Sequence, residues 1–172
     1  MILTEPTPNP QAIKFYALRP LVGSGSIWYD IDLAINGGDF IKKIFRTAGV
    51  RFALLQENFI TITKFPQWDW EEIKPKIKKI LETELFYIES GDTDAYCTDE
   101  ICCAVREIIE KEIRPSVQLD GGDIRFIRYK DGIVEIKMQG SCWGCPNHES
   151  TLGAVFNKVH VKVPEVKQVR LQ

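Results

Sequence analysis

Eight residues, Gln139-Gly140-Ser141-Cys142-Trp143-Gly144-Cys145-Pro146, constrain this chain more than any others, because they set two thiols between a strand pattern and a helix pattern. Upstream, Ile133 to Met138 alternates in period two, with Val134, Ile136 and Met138 on one face and Glu135 and Lys137 on the other. Gly140 and Ser141 then break the strand. Pro146 has no amide hydrogen to lose and a φ suited to a first helical position. Leu152, Val155, Phe156 and Val159 follow at helical spacing. Both sulfurs are therefore expected at a helix N-terminus, where unpaired amides and the helix dipole favour negative charge. A free thiol of pKa ~8.5 is mostly protonated at neutral pH, and only the thiolate binds metal or attacks a disulfide. The helix start is expected to lower that pKa, so the pair reads as a metal or redox site.

A chain of 172 residues has room for one large or two small domains. Its hydrophobic content of 44% and charged content of 27% are ordinary for a globular protein. A formal net charge of −2 gives no reason to expect a nucleic acid or an anionic membrane as partner. No apolar run is long enough for a membrane-spanning helix. Met1 to Pro10 shows neither a basic-then-apolar signal nor an Arg-rich presequence. The five cysteines are odd in number and two are adjacent, which argues for a reducing compartment over a disulfide framework.

The first half reads β-β-α-β-β-α. Residues 2–10 hold three prolines in five positions and are expected to be an extended lead-in. Gln11–Arg19 and Ile27–Leu33 read as strands. Asp39 is expected to cap a helix through Phe40, Ile41, Ile44 and Phe45, ended by Gly49. Val50–Gln56 and Phe59–Lys64 form a hairpin around Glu57-Asn58. A second helix starts at Asp69 and buries Ile73, Ile77, Ile80, Leu81 and Leu85, with Pro75 expected to kink or restart it. Nothing here has catalytic spacing, and Trp28, Trp68 and Trp70 read as packing aromatics.

Phe86 to Glu100 carries five acids and no lysine or arginine, the composition of a solvated tether. The expected division is therefore a domain over 1–85, an acidic linker over 86–98 and a second domain over 99–172. That second domain reads α-β-β-α-β. Its first helix runs from Asp99 to Arg114 with Ile101, Val105, Ile108 and Ile109 inward, and Pro115 is expected to stop it. Cys102 falls near the buried stripe and Cys103 on the outward face. Asp131-Gly132 joins two strands in a strong hairpin signal, and a short strand over Val166–Leu171 closes the chain.

Three chemistries remain open for Cys142 and Cys145. Structural zinc asks for four protein ligands, and the chain offers no second pair at this spacing, only His148 three residues on. A thiol–disulfide redox protein also sets such a pair at a helix start, though usually after a parallel strand rather than an antiparallel hairpin. A four-iron cluster takes four thiolates, and two chains on a two-fold axis would supply them. Cys97, Cys102 and Cys103 are the other candidates to complete a site within one chain. Neighbours on a helix point about 100° apart, however, which keeps Cys102 and Cys103 from facing one metal.

Further residues carry a resemblance. Arg114-Pro115, Gln118, Asp120-Gly121-Gly122-Asp123, Asp131-Gly132, Gln139-Gly140-Ser141-Cys142, Gly144-Cys145-Pro146, Thr151-Leu152 and Val163-Pro164-Glu165-Val166 resemble the C-terminal domain of NifU-like (Nfu-type) iron–sulfur scaffold proteins. Thr4-Glu5, Thr7-Pro8-Asn9-Pro10, Lys14-Phe15, Gly49-Val50, Phe59 to Lys64 and Lys74-Pro75 resemble the N-terminal domain that accompanies it. The resemblance implies an α+β fold whose second domain has a three-stranded sheet. It implies no enzyme but a scaffold that holds a 4Fe–4S cluster across a homodimer through Cys142 and Cys145. Such a scaffold receives clusters from upstream assembly proteins and delivers them to apo iron–sulfur proteins. The expected compartment is the cytoplasm of a bacterium or, for a processed eukaryotic chain, the mitochondrial matrix. The chain departs from the family pattern at Asn147-His148, at Gly153-Ala154 and over Gly37 to Phe40, none of them a ligand position.

Overall fold

Period-two runs become strands and period-3.6 runs become helices in the computed structural model, which describes residues 1–84, 86–89, 97 and 99–172. The fold is α+β, and the chain divides into two units, Met1–Asp92 and Thr93–Gln172.

The first unit carries strands β1 (Thr4–Pro6), β2 (Ala12–Tyr16), β3 (Ile27–Tyr29), β4 (Val50–Leu55) and β5 (Phe59–Lys64). They form an antiparallel sheet in the order β1-β2-β5-β4-β3. Helices α1 (Ile31–Ile35), α2 (Asp39–Phe45) and α3 (Trp70–Thr83) complete it. Phe15, Ala53, Leu55, Ile60 and Ile62 of the sheet share one core with Ile41 and Ile44 of α2 and Ile73, Ile77 and Leu81 of α3. Trp68 and Trp70 pack against that core and Trp28 stacks on Phe52, so the tryptophans are packing residues as expected.

Four details differ from the sequence reading. The proline-rich lead-in contributes an edge strand, β1, because Pro6 sits at its end, where a missing amide costs no ladder bond. Ile31, Leu33 and Ile35 alternate like a strand yet form the single-turn helix α1, capped by Asp30, whose carboxylate accepts from the Leu33 amide at 2.8 Å. One turn is too short for its periodicity to show, and all three apolar side chains are exposed. Gly38, not Asp39, is the N-cap of α2. Pro75 is carried inside a continuous α3. Leu85 lies outside the described residues, as does most of the acidic stretch. Of that stretch, Phe86 stacks on Phe40 with centroids 4.6 Å apart, and Ile88 bridges to Val22, so both pack on the first unit.

The second unit shows the expected order α-β-β-α-β, with its first helix built from three segments. Helix α4 (Glu100–Ile108) passes through a π-helical turn, Ile109–Ile113, into α5 (Arg114–Leu119). Pro115 therefore does not stop the helix. It occupies the first turn of α5, where an amide is dispensable, and the wider π turn precedes it. Cys102, Val105, Ile109 and Ile113 form the buried stripe, with Ile101 only partly covered. Strands β6 (Gly122–Lys130) and β7 (Ile133–Gly140) pair antiparallel, and β8 (Gln168–Leu171) runs parallel to β7. Asp131 and Gly132, with φ of 53° and 83°, both take the left-handed region that a tight hairpin turn demands. Helix α6 (His148–Lys162) contributes Val155 and Val159 to the core, beside Ile136 and Met138 of β7.

Candidate metal centre

The thiol pair lies on the turn joining β7 to α6, and the turn is fastened both to the residues that lead into β6 and to His148 at the start of α6. The Ser141 amide donates to the Gly121 carbonyl at 3.1 Å, and its hydroxyl donates to the Asp120 carbonyl at 2.8 Å. The amides of Cys142 and Trp143 donate back to Gln139 and Gly140, at 3.3 and 3.2 Å. Gly144, at a φ of 65°, then reverses the chain. Helix α6 begins two residues beyond the pair, with Asn147 at its N-cap and no side-chain cap bond. Pro146 is thus not the first helical residue, and the sulfurs sit just ahead of the helix rather than on it.

Gly122 decides where Cys142 goes. A side-chain carbon built at Gly122 would overlap the Cys142 sulfur and press on Ser141 Oγ at 3.1 Å and Val117 Cγ1 at 3.2 Å. The absent side chain is the recess that receives the thiol. Next to it, Asp123 is fully buried and paired with Arg114, whose Nε and Nη2 donate to its two carboxylate oxygens at 2.7 and 2.9 Å. Glu110 accepts from Arg114 Nη1 at 2.7 Å. This clamp ties α5 to the strand start on which the thiol turn leans.

Cys142 lines a cleft of about 300 Å³ together with Lys137, Trp143, Gly144, His148 and Leu171. Cys145 is nearly covered, at 8% exposure, so the pair is presented unevenly. Burial pushes the Cys142 thiol up to about 12, with Cys145, Asp123 and Asp120 adding to the rise and a hydrogen bond with Ser141 opposing it. The lowering expected from the helix start is overturned: desolvation and nearby acids outweigh a dipole whose helix begins beyond the pair. A metal must therefore displace a proton from Cys142.

The other sequence candidates separate from this pair. His148 Nδ1 lies 2.9 Å from the Cys145 carbonyl, which can only accept, so Nδ1 carries the proton and braces the turn. His160 Nδ1 is engaged with the Val166 carbonyl at 2.7 Å. Cys102 is buried and Cys103 exposed, as expected. Among the described residues, no three Cys, His, Asp or Glu side chains gather in a metal-holding arrangement. Cys142, recessed against Gly122 and open to a cleft, and the nearly covered Cys145 are soft donors of the kind a thiolate-held centre takes. Residue types alone did not mark Gly122, Ser141 or the Arg114–Asp123 clamp as supports. The signal that existed was Asp120-Gly121-Gly122-Asp123, where two glycines precede an acid that turns out to be buried.

Residues 105–170 match the family model described as NifU-like domain, and residues 2–87 match that described as scaffold protein Nfu/NifU N terminal. The human "NFU1 iron-sulfur cluster scaffold homolog, mitochondrial" is 33% identical over 180 residues, 98% of this chain and 70% of that protein. The chain belongs to the Nfu family of iron–sulfur cluster scaffold proteins. The Nfu homologue of the same description from Drosophila persimilis is 35% identical over 182 residues, covering 98% of this chain. This Nfu-family chain spans 64% of the length of that relative and 60% of the Drosophila grimshawi one. The solution NMR structure of a NifU-like protein from Saccharomyces cerevisiae aligns over 54% of this chain and 86% of that one, with 29% identity and a TM-score of 0.48.

Proposed function

We propose that this Nfu-family chain carries a 4Fe–4S cluster as cargo between two copies of itself, with Cys142 and Cys145 of each supplying the four thiolates. In this reading the chain is a carrier and not an enzyme. It takes clusters from upstream assembly proteins and passes them to apo iron–sulfur proteins. The observation that carries the reading is that one turn holds two thiols three positions apart, Cys142 on a cleft and Cys145 nearly covered behind it, half of what a four-iron cluster needs. The relatives named above are mitochondrial by description, so the matrix is the proposed compartment in a eukaryote and the cytoplasm in a bacterium. No helix among the described residues is long and apolar enough to cross a membrane.

Delivery follows from acid–base chemistry at Cys142. A recipient thiolate replaces the Cys142 sulfur on iron, and the released sulfur takes up a proton. Burial, with Cys145 and the neighbouring acids, raises the free Cys142 thiol, so the released sulfur is in its neutral form. The covered position of Cys145 makes it the later ligand to exchange.

Anaerobic reconstitution followed by iron analysis and native mass spectrometry tests the proposal. About four irons per two chains are expected from the ligand count, with the metal-free chain moving to dimer on loading. Cys142→Ser and Cys145→Ser each abolish loading, and Cys103→Ser leaves it intact. Loading that survives both ligand changes, or a zinc-only protein, overturns the assignment.

A further inference from the structure

Beside the thiol turn, the sheet of the second unit carries a row of charge that the cluster reading leaves unused. Alternation sends Ile124 and Phe126 of β6, Val134, Ile136 and Met138 of β7 and Val169 of β8 to the core side. Glu135, Lys137 and Arg170 lie between them in sequence and fall on the opposite face. Arg128 joins that face because the register shifts between Phe126 and Arg128. The three strands then set Arg128 opposite Glu135, and Glu135 opposite Arg170, in one row. Arg125 stands opposite Lys137 but leans on the buried Asp123 at 3.5 Å.

Glu135 is nearly covered and receives both guanidiniums of its row. Arg128 donates from Nε at 2.5 Å and from Nη2 at 3.1 Å, and Arg170 donates from Nε at 2.9 Å and from Nη2. One carboxylate thus fixes two guanidinium planes, while the arginine side chains stay 60% and 50% exposed. Two cations around one anion leave a net positive charge, and the exposed Lys137 adds to it along β7. Lys137 also lines the Cys142 cleft, as does Leu171 next to Arg170, so the charged face runs up to the thiol.

We propose that this sheet face is a docking surface for an acidic protein, its occupant being the acidic face of the apo-protein that takes the cluster from Cys142. The identity of the occupant rests on the carrier reading, whereas the charge complementarity does not. Glu135 takes the Nε–Nη2 edge of each guanidinium, and among the described residues neither Nη1 has a partner. The outer Nη1–Nη2 edge presents paired N–H groups in the plane that matches an Asp or Glu of a partner. Because Glu135 already fixes both planes, less side-chain freedom is lost on docking. A nucleic acid is the poorer fit. Charge-driven binding there draws on several phosphate contacts and a basic domain, whereas here a carboxylate stands at the centre of the row and the chain has a net charge of −2. Complementary charge acts mainly on the rate of encounter and is screened by salt.

The experiment uses the full metal-free chain, so that docking is read without a cluster, with a strongly acidic apo-ferredoxin as the probe. Binding kinetics are followed from low to high salt, and amide chemical shifts of the labelled chain locate the contact. The expected shifts gather on β6, β7 and β8 around Arg128, Glu135, Lys137 and Arg170. Lys137→Glu, at an exposed position, is expected to slow association about tenfold at low salt and to flatten its salt dependence, with dissociation little changed. Arg128→Gln leaves Arg170 on Glu135 and is expected to slow association less, while loading iron like the unmutated chain. No binding, rates untouched by both substitutions, shifts confined to the first unit, or tighter binding of a single-stranded RNA overturns the proposal. A chain that loads no iron yet binds the apo-ferredoxin through this face refutes the carrier reading and keeps the docking surface. A chain that loads iron and delivers it from the Lys137→Glu variant at the unmutated rate refutes the docking surface and keeps the carrier.

Discussion

Cysteines precede two helices of the second unit, and the two helix starts treat them in opposite ways. Cys97 stands two residues before the cap Asp99, and Cys145 two residues before the cap Asn147. Asp99 is extended and closes its helix with a side-chain bond from the Cys102 amide, and Cys97 ahead of it packs on the core that holds Cys102. Asn147, at φ −92° and ψ 12°, makes no such bond. Its thiol turn leans instead on the Asp120 and Gly121 carbonyls across the sheet, and Cys142 faces a cleft. A cysteine near a helix start is thus not one kind of site. At the first start the cysteine is packed on the core, and at the second Cys142 is left on a cleft.

Removing the buried ion pair beside the Cys142 turn has the largest effect. Asp123→Asn strips the charge that buried Arg114 faces and breaks a buried ion pair, costing about 3 kcal/mol. Urea unfolding of the second unit checks it, and cluster loading should fall with stability. Gly122→Ala should separate the two helix starts. It forces a methyl into the recess of Cys142, costing about 1–3 kcal/mol by overpacking, and should cut iron loading. If loading is unchanged, the recess is not what positions Cys142. Asp99→Ala is the mildest and acts on the other helix start. Loss of the cap costs about 1 kcal/mol of stability, read by urea unfolding, and should leave iron content unaltered. Equal effects of Gly122→Ala and Asp99→Ala on both readouts would erase the contrast.

Much of the fold was legible because it follows local pattern. The β7 alternation, the Asp131-Gly132 turn, the Phe59–Lys64 strand and the buried stripes of α3 and α6 all appear where their periodicities put them. The misreadings were local signals outvoted by context. Ile31, Leu33 and Ile35 alternate like a strand, but Asp30 caps them into one helical turn. Pro115 looks like a stop, but a π turn and a dispensable amide carry the helix past it. At the candidate site, the spacing of Cys142 and Cys145 was readable, whereas Gly122 as the recess was not. A glycine's value there is the empty volume it leaves to a residue twenty positions away.

By itself the sequence determined which donor atoms exist and how far apart along the chain they lie: two thiols around Trp143-Gly144, and three more around Asp99. It also determined the strand and helix that flank each group, since periodicity is a property of neighbours. Tertiary structure alone decided what those thiols are. Asp123, buried beside Cys142, and the covered turn raise its proton affinity, where the local pattern argued for lowering it. Desolvation and charge act through space, so they depend on which distant segments fold together, and that is information no stretch of chain carries on its own.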